Sequence, residues 1–337
     1  MNFAEFRPWF DERFSALLQQ KIASFAGHSD STEVFSIASY VAVIAQNGKR
    51  FRPFLVYLAS GLDQQNAEKH FSLFAAIELV HVFALIHDDI MDKADTRHGV
   101  VCAHKKFVAE YGESVAEGIG ILLGDILFAW AYECLSQYNA LFPSTQQRVA
   151  EDFARLISEV THGQLLDILS PVQSPRTQEQ IVQKMTFKTA RYSFVQPLRL
   201  GFVIKGDDAR DQEFAESFGT ALGIGFQVQD DLLDTLPVEE TGKSRFTDIQ
   251  TGQQTLLTAY MQKSVYANDF AQYFKRELGA QEIEVLGALL IKSGAVEYVQ
   301  KVAQDYFDRA RTLVDAYRTV DSEVWGSIVT LIQERKK

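Results

Sequence analysis

Two aspartate clusters in this chain have the composition and spacing of cation sites. The first is DDIMD at 88–92 and the second is DDLLD at 230–234. Crowded carboxylates repel one another, so each cluster is stable only if cations join it or some carboxyls stay protonated. Neither cluster contains a cysteine, and oxygen ligands alone favour a hard ion such as Mg²⁺ together with phosphate oxygens. The six aspartates carry about six negative charges, which about three divalent ions would neutralise.

The spacing within each cluster suits a helix. At about 100° per residue, Asp88 and Asp92 lie about 40° apart on one helix face, and Asp230 and Asp234 do the same. The helix macrodipole disfavours carboxylates near a helix C-terminus, so folding alone would not select them there. One DDxxD sequence could arise by chance on a solvated helix face. Two copies that each follow an apolar segment argue against chance and predict a phosphate-ester ligand.

Long, buried helices are predicted to position both clusters. Residues 71–86 are apolar at nearly every position, and residues 218–234 are similarly apolar with small residues interleaved. A helix that is apolar on all sides belongs in the centre of a protein. Residues 54–142 and 238–337 contain no proline, and the sequence lacks alternating strand patterns. The predicted fold class is all-α.

Composition narrows the class of partner and the compartment. The chain has 337 residues, 47% of them hydrophobic, and a formal net charge of -11, which argues against nucleic acid or an anionic membrane as the main partner. Two cysteines, Cys102 and Cys134, suit a reducing cytoplasm. The longest apolar run, 71–86, is shorter than the roughly 20 residues of a membrane span, and the N-terminus lacks the pattern of a signal peptide. We expect a cytoplasmic protein with no membrane span.

Five motifs in this order resemble the trans-type isoprenyl (polyprenyl) diphosphate synthases, especially those that make geranylgeranyl or farnesyl diphosphate. They are GKRFRP (48–53), ELVHVFALIHDDIMDKADTRHG (78–99), GQLLD (163–167), KTA (188–190) and FQVQDDLLD (226–234). The resemblance implies an isoprenoid-synthase-type bundle of roughly ten or more helices around a deep central pocket. It further implies one synthase domain over residues 1–337 and a homodimer.

The chemistry that the resemblance implies is a Mg²⁺-dependent, head-to-tail condensation. Isopentenyl diphosphate is joined to an allylic diphosphate, which is dimethylallyl, geranyl or farnesyl diphosphate. Cations stabilise the departing diphosphate, the allylic carbon–oxygen bond ionises, and the double bond of isopentenyl diphosphate attacks the carbocation. Loss of a proton completes the product. No side-chain nucleophile is needed, so catalysis depends on positioning and electrostatics.

The resemblance assigns expected roles to individual residues. The metal ligands correspond to aspartates of both clusters, with Asp89 acting through hydrogen bonds and Asp234 through water: Asp88, Asp89, Asp92, Asp230 and Asp234. Contacts to the allylic diphosphate correspond to cationic and polar side chains: Arg97, Lys188, Thr189, Gln227 and Lys243. Contacts to isopentenyl diphosphate correspond to Lys49, Arg52, His81 and His98. Supporting residues near the metals correspond to Gln164, Asp167 and Asp231.

Each of these roles has a simpler alternative, and the chain departs from the family pattern at three positions. Exposed lysines and arginines usually only solvate a surface, and a lone histidine such as His81 is more often part of a core. His98 replaces a usual arginine, which predicts weaker or pH-dependent binding of isopentenyl diphosphate. Phe246 stands where a glycine is common and Gln253 where a lysine is common, so the segment after the second cluster is expected to close differently.

Product length is predicted from the residues before the first cluster. Phe83 lies five positions before Asp88, so at about 1.5 Å per residue it sits roughly 7 to 8 Å deeper and could floor a tunnel for the growing chain. Ala84 is too small to block that tunnel. In the family this pattern is typical of a twenty-carbon product, geranylgeranyl diphosphate, with fifteen-carbon farnesyl diphosphate as the alternative. Ordinary core packing is the competing explanation for Phe83.

Three rival classes share parts of this pattern. A terpene cyclase has the all-α pocket and one DDxxD, but the second DDxxD of this chain argues against it. A non-catalytic subunit or lipid-diphosphate binding protein would tolerate broken clusters, whereas all six aspartates are present here. A purely structural helical bundle has no reason to bury such clusters.

Overall fold

The computed structural model of the protein describes residues 1–28, 30–97, 99–172, 176–236, 245–317 and 322–334. These residues are almost entirely helical, which confirms the all-α prediction. The one β-ladder in the described ranges pairs two short antiparallel strands, β1 (Thr96–Arg97) and β2 (Val100–Val101). The alternating-strand criterion missed it because strands of two residues are too short to show a period.

The α-helices of the described residues follow one another in chain order. They are α1 Phe3–Ala26, α2 Thr32–Ala45, α3 Phe51–Ser60, α4 Gln64–Ala67, α5 Phe71–Met91, α6 Ala103–Lys106, α7 Val108–Tyr111, α8 Glu113–Leu141, α9 Gln146–Ile168, α10 Gln178–Met185, α11 Gln196–Lys205, α12 Ala209–Leu233, α13 Thr247–Thr251, α14 Leu256–Lys263, α15 Ala267–Ala271, α16 Ala280–Lys292, α17 Ala295–Tyr317 and α18 Ser322–Gln333. Glu68–His70 and Ser170–Val172 are 3₁₀-helical, and Thr186–Val195 is π-helical.

The chain divides into two compact units. Unit 1 contains Met1–Phe153 and Leu200–Gly206, and unit 2 contains Ala154–Arg199 and Asp207–Lys337. Each unit contains one of the two aspartate clusters. The expected single domain over residues 1–337, and the expected central pocket, remain predictions.

In unit 1, helix α5 is the central element, as the sequence predicted. Every residue from Leu73 to Val80 is buried, and α5 packs along α8. Small residues on α8 permit this close approach, since a Cβ at Gly124 would lie 2.2 Å from Nε2 of His87. Aromatic rings of α1 stack on one another against the start of α5, and burying each ring contributes about 1.5 to 3 kcal/mol.

In unit 2, helix α12 packs against the π-helical segment and α17. The small residues interleaved in the 218–234 segment lie where backbones nearly touch. A Cβ at Gly223 would lie 2.4 Å from the Cα of Ala190, and one at Gly225 would lie 3.1 Å from the ring of Phe307. Close packing of this kind leaves no room for a methyl group. The glycines of α12 therefore set the distance between the second cluster and its neighbours.

Two helical stretches have the length and apolar composition of a membrane span. They are Gln64–Met91 and Glu113–Leu141, and the most apolar 18 residues of each are 61% and 39% buried inside the protein, respectively. Core helices of soluble proteins meet the same criteria, so these stretches are weak evidence for a membrane.

Candidate active site

The first cluster lies at the C-terminal end of α5, as predicted. The helix ends at Met91, and Asp92 is its C-cap, with its N–H donating to the carbonyl oxygen of Asp88 at 2.8 Å. Carboxylate oxygens of Asp88 and Asp92 lie within 4.8 Å of each other. Asp92 is exposed and Asp88 half-buried, whereas Asp89 is only 3% exposed. The Asp88–Asp92 pair therefore presents a carboxylate face that could hold a hard cation.

Arg97 supplies a positive charge to this cluster. The β1–β2 ladder and the turn at Gly99, with φ of +78°, return the chain so that Arg97 faces the end of α5. Its Nε donates to Oδ1 of Asp89 at 2.5 Å, and its Nη2 donates to Oδ2 of Asp88 at 3.0 Å. Burial raises the pKa of Asp89, and the Arg97 guanidinium opposes that rise. Arg97 thus provides part of the cationic charge that the sequence indicated.

The candidate contacts for isopentenyl diphosphate belong to unit 1. Lys49 and Arg52 lie on either side of the start of α3 and are half-buried, and His81 is half-buried on α5. Arg50, between the two cations, is buried and ion-paired with Asp11 and Glu78. Sequence analysis gave Arg50 no role. No local signal in KRFR marks Arg50 as the buried cation, because its partners lie 39 and 28 residues away in the chain.

Phe83 and Ala84 are both half-buried on α5. The Phe83 ring contacts the ring of Phe128 on α8, with centroids 5.3 Å apart, and that of His87, with centroids 4.7 Å apart. The phenyl ring therefore lies between α5 and α8, and its depth as a tunnel floor remains a prediction.

In unit 2, the GQLLD and KTA motifs meet. Asp167, near the end of α9, accepts from Nζ of Lys188 and, at 2.9 Å, from Nζ of Lys184. Although burial opposes its ionisation, these two ammonium groups hold the pKa of Asp167 below its ordinary value. A Cβ at Gly163 would lie 2.2 Å from the backbone N of Lys188, so this glycine allows the contact between the two segments. Lys184 was missed in the sequence, although its position four residues before Lys188 was a signal.

A hydrogen-bond chain links the KTA motif to the second cluster. The Thr189 hydroxyl donates to Oε1 of Gln227 at 2.5 Å, and Nε2 of Gln227 donates to Oδ1 of Asp231 at 2.8 Å. Burial raises the pKa of Asp231 to about 7, although the hydrogen bond from Gln227 opposes that shift. This chain orients Asp231 toward the protein and leaves Asp230, at the preceding position of α12, as the candidate ligand.

Asp234 caps both the end of α12 and the start of α13. Its carboxylate accepts from the Thr247 N–H at 3.0 Å, from the Asp248 N–H at 3.1 Å and from the Thr247 hydroxyl. Burial and the neighbouring Asp234 charge raise the pKa of Asp248 well above its usual range. Phe246, the N-cap of α13, has φ of +60° and is fully buried. This left-handed conformation favours glycine, so the glycine that is common at this position would adopt it more easily than Phe246 does.

The predicted site residues fall into two sets. Asp88, Asp89 and Arg97 are joined in unit 1, and the supporting and cationic residues around Asp167, Gln227 and Asp231 are joined in unit 2. Gln164 lies half-buried on α9, one residue after Gly163. Gln253, the other departure, accepts from Nζ of Lys184 at 3.5 Å. His98 and Lys243 lie outside the described residues.

The donor sets fit magnesium. In each unit a helix ends in carboxylates one turn apart, the neighbouring groups include cations, and the described ligands are oxygens. Mg²⁺ takes one or two protein carboxylates and completes its shell with water and phosphate. An open carboxylate face such as that of Asp88 and Asp92 provides this arrangement.

Comparison with known proteins gives a consistent result. A family model described as polyprenyl synthetase matches residues 35–284. A geranylgeranyl diphosphate synthase of Methanosarcina mazei is 31% identical over 85% of this chain and 84% of that protein. A geranylfarnesyl diphosphate synthase of Aeropyrum pernix is 28% identical over 83% of this chain and 87% of that protein. A crystal structure of the geranylgeranyl pyrophosphate synthase of Corynebacterium glutamicum, complexed with isoprenyl diphosphate and magnesium, is 25% identical, with a TM-score of 0.87 and coverage of 97% of this chain and 98% of that one.

Proposed function

We infer that this chain, which belongs to the polyprenyl synthetase family, is a prenyltransferase that joins isopentenyl diphosphate to an allylic diphosphate. The product that the relatives favour is geranylgeranyl diphosphate, because several of those most similar to the chain are named as its synthases. A half-buried aromatic at Phe83 beside the small Ala84 supports the same length. Farnesyl diphosphate is the alternative product. The allylic substrate is dimethylallyl, geranyl or farnesyl diphosphate.

The observation that carries this proposal is that α5 and α12 each end in a complete aspartate cluster whose second aspartate is held by a side chain of the same motif. Arg97 holds Asp89, and Gln227 holds Asp231. We assign the outer aspartates, Asp88, Asp92 and Asp230, as the metal ligands; Asp88 also accepts from Nη2 of Arg97 at 3.0 Å. A purely structural bundle would gain nothing from carboxylates at helix C-termini, where the macrodipole disfavours them.

Each group in the proposed site has a task that follows from its charge. Bound Mg²⁺ would neutralise the diphosphate and stabilise the negative charge that grows on it as the allylic bond ionises. We assign Arg97, Lys188 and Thr189 to the allylic diphosphate, to which the two cations would contribute positive charge and Thr189 a hydroxyl. We assign Lys49, Arg52 and His81 to the diphosphate of isopentenyl diphosphate. The ion number, about three, rests on the charge of the clusters.

We propose that the enzyme is a cytoplasmic homodimer. An exposed apolar stripe on α8 supports the dimer, with Val115, Leu122 and Tyr132 being 53%, 67% and 66% exposed. At about 100° per residue these three side chains fall within an arc of about 100° on the helix surface, and an exposed apolar stripe of this kind is typical of an interface. The two cysteines are free and buried, which suits a reducing compartment.

Incubation of the purified protein with Mg²⁺, isopentenyl diphosphate and farnesyl diphosphate tests the proposal. We expect a twenty-carbon product, measured by chromatography with carbon-labelled isopentenyl diphosphate, and release of inorganic diphosphate from the allylic substrate, measured by a separate diphosphate assay. Asp88→Asn and Asp230→Asn are each expected to lower kcat about 100-fold or more, because an interaction made with the departing charge is lost. Asp305→Asn, on an exposed face of α17, is the matched control and should keep wild-type turnover.

The outcomes separate the rival classes. A cyclic hydrocarbon formed from the allylic diphosphate alone would indicate a terpene cyclase. Binding of isopentenyl diphosphate without product would indicate a non-catalytic subunit. Wild-type turnover in both aspartate variants would refute the assigned roles of the clusters.

A further inference from the structure

We propose that Arg50 is a positioning residue for isopentenyl diphosphate, acting through Lys49 and Arg52 on either side of it. This inference rests on the proposed function, which assigns those two cations to that substrate. Arg50 itself points into the protein, and its side chain is 3% exposed. It therefore holds its neighbours and has no surface from which to bind the substrate.

The Arg50 guanidinium is fixed from several directions. Its Nε donates to Oδ1 of Asp11 on α1 at 2.7 Å, and its Nη1 donates to Oε1 of Glu78 on α5 at 2.7 Å. Its Nη2 donates to the carbonyl oxygen of Ala45, the last residue of α2, at 2.5 Å. The ring of Phe14 lies beneath it, with Cζ 5.1 Å from the ring centroid. A planar group bound in this way has little freedom to rotate.

The backbone at Arg50 depends on this fixation. Arg50 is the N-cap of α3 and has φ of +59° and ψ of +27°, a left-handed conformation that costs free energy in a residue with a side chain. Such a conformation persists only where surrounding contacts determine it. The turn that it makes sets the directions of Lys49 before it and Arg52 after it. Release of the side chain would therefore relax the backbone that carries both cations.

Gly48 shows that the motif is built around the buried pair. A Cβ at this position would lie 2.1 Å from Nη1 of Arg50 and 2.8 Å from Oε1 of Glu78. The glycine thus leaves the space that the guanidinium and the carboxylate occupy. In this proposal, Gly48 leaves room for the buried pair and Lys49 contacts the substrate. Arg50 positions the cations on either side of it.

Glu78 connects the turn at Arg50 to α5, the helix that contains His81, the third residue assigned to isopentenyl diphosphate. Its side chain is 1% exposed, and its Oε2 has no hydrogen-bond partner among the described residues. Glu78 lies three residues before His81 on α5, so the Arg50–Glu78 pair joins the segment of Lys49 and Arg52 to the helix of His81. A buried ion pair is often replaceable by apolar side chains of similar volume without loss of stability. A gain in stability therefore does not explain why the chain has a buried ion pair between Arg50 and Glu78.

The test is the double variant Arg50→Met, Glu78→Met, in which apolar side chains of similar length replace both charges. We expect its thermal unfolding temperature to stay close to that of the wild type, because the buried Glu78 charge is removed together with Arg50 and the half-exposed Asp11 keeps its pair with Arg7. We expect the KM for isopentenyl diphosphate to rise about tenfold or more, with the KM for farnesyl diphosphate within about twofold of wild type. Calorimetric titration with isopentenyl diphosphate should show the same loss of affinity. A double variant with unchanged affinity and KM for isopentenyl diphosphate would overturn the inference.

A second variant keeps the test decisive if the double variant does not fold. Arg50→Lys keeps the charge but cannot reach Asp11, Ala45 and Glu78 together, so a selective rise in the KM for isopentenyl diphosphate supports the inference and an unchanged KM overturns it. Arg276→Met, which removes an exposed pair with Glu282, is the control and should match wild type in both KM values. Absence of condensation by the wild type would instead refute the proposed function, and with it this inference.

Discussion

At the scale of single residues, the six clustered aspartates have different surroundings. Asp89 is buried against Arg97, and Asp231 is bound by Gln227 and has a pKa raised by burial to about 7. Asp92 is exposed, and Asp234 caps α13. Both clusters have the same DDxxD spacing. Their contacts nevertheless differ, because some of the carboxylates are held by other side chains of the protein and others face outward.

Phe83→Ala is expected to lengthen the product. If the ring floors the tunnel between α5 and α8, its removal leaves room for at least one more five-carbon unit, and the dominant product should exceed twenty carbons. Chromatography of the dephosphorylated products measures this length. Phe71→Ala removes a half-buried phenylalanine from the other end of α5 and serves as the control. An unchanged product distribution in Phe83→Ala would assign that residue to ordinary core packing.

His70 is expected to make stability depend on pH. Burial, with a smaller contribution from Lys69, lowers its pKa from 6.5 to about 4, and its ring stacks on Phe142 with centroids 4.2 Å apart. Because the folded-state pKa is below the unfolded one, acidification from pH 6.5 toward pH 4 protonates the unfolded chain first. The contribution of His70 to the free energy of unfolding is therefore complete above pH 6.5 and falls by up to about 3 kcal/mol as the pH approaches 4.

His70→Phe should remove this contribution, because the ring still stacks but does not titrate. Urea unfolding of both proteins at about pH 7 and about pH 5 gives the difference, and other titrating groups cancel in the comparison. Parallel pH dependence in the two proteins would contradict the assignment.

At the scale of elements, close approach of backbones determines where the motifs meet. Gly163 on α9 lies against Lys188 in the π-helical segment, and Gly223 on α12 lies against Ala190 in the same segment. The wider turn of a π-helix is often found at functional sites. Here that segment contains Lys188 and Thr189, so the packing of α9 and α12 on it sets their positions.

Gly163→Ala is expected to damage both stability and activity. The added methyl group would lie 2.2 Å from the backbone N of Lys188, so the two segments must separate. Overpacking of this kind costs about 1 to 3 kcal/mol, and displacement of Lys188 should lower kcat/KM about tenfold to a hundredfold. Gly326→Ala, on α18 with no atom within 4 Å, is the control and should stabilise the protein by up to about 1 kcal/mol. Urea unfolding and steady-state kinetics measure both effects, and a fully active Gly163→Ala protein would refute this account.

At the scale of the whole molecule, an exposed apolar face on α8 contrasts with the net negative charge of the chain. The formal net charge of -11 keeps molecules apart in general, so association needs a local apolar surface. The stripe of Val115, Leu122 and Tyr132 provides one, and a twofold dimer uses the same patch on both subunits.

Leu122→Glu is expected to dissociate the dimer, because two added carboxylates would face each other across a twofold interface. Light scattering after gel filtration should give a mass near 38.0 kDa for the variant and about twice that for the wild type. Val265→Glu, at a valine that is 94% exposed in unit 2, is the matched control and should stay dimeric. A wild-type monomer, or a dimeric Leu122→Glu protein, would place the interface elsewhere or remove it.

The local sequence was sufficient to predict the all-α fold class and the position of both aspartate clusters at helix ends. It also contains the motifs that indicate prenyl transfer. These features follow from periodicity and spacing over a few residues, since a helix places residues four apart on one face. The apolar runs before Asp88 and Asp230 were sufficient to predict that both clusters end central helices, and α5 and α12 confirm it.

Only the tertiary structure shows the contacts of Arg50 and Lys184 and the backbone conformation of Phe246. Arg50 meets Asp11 and Glu78 across 39 and 28 residues, and Lys184 meets Asp167 across 17. Phe246 adopts a left-handed conformation that its residue type disfavours, and its burial stabilises that conformation. Contacts between distant segments depend on how helices pack, which no local pattern encodes. The same reason explains why the sequence indicated Lys49 and Arg52 as candidate contacts for isopentenyl diphosphate but gave Arg50, which lies between them, no role.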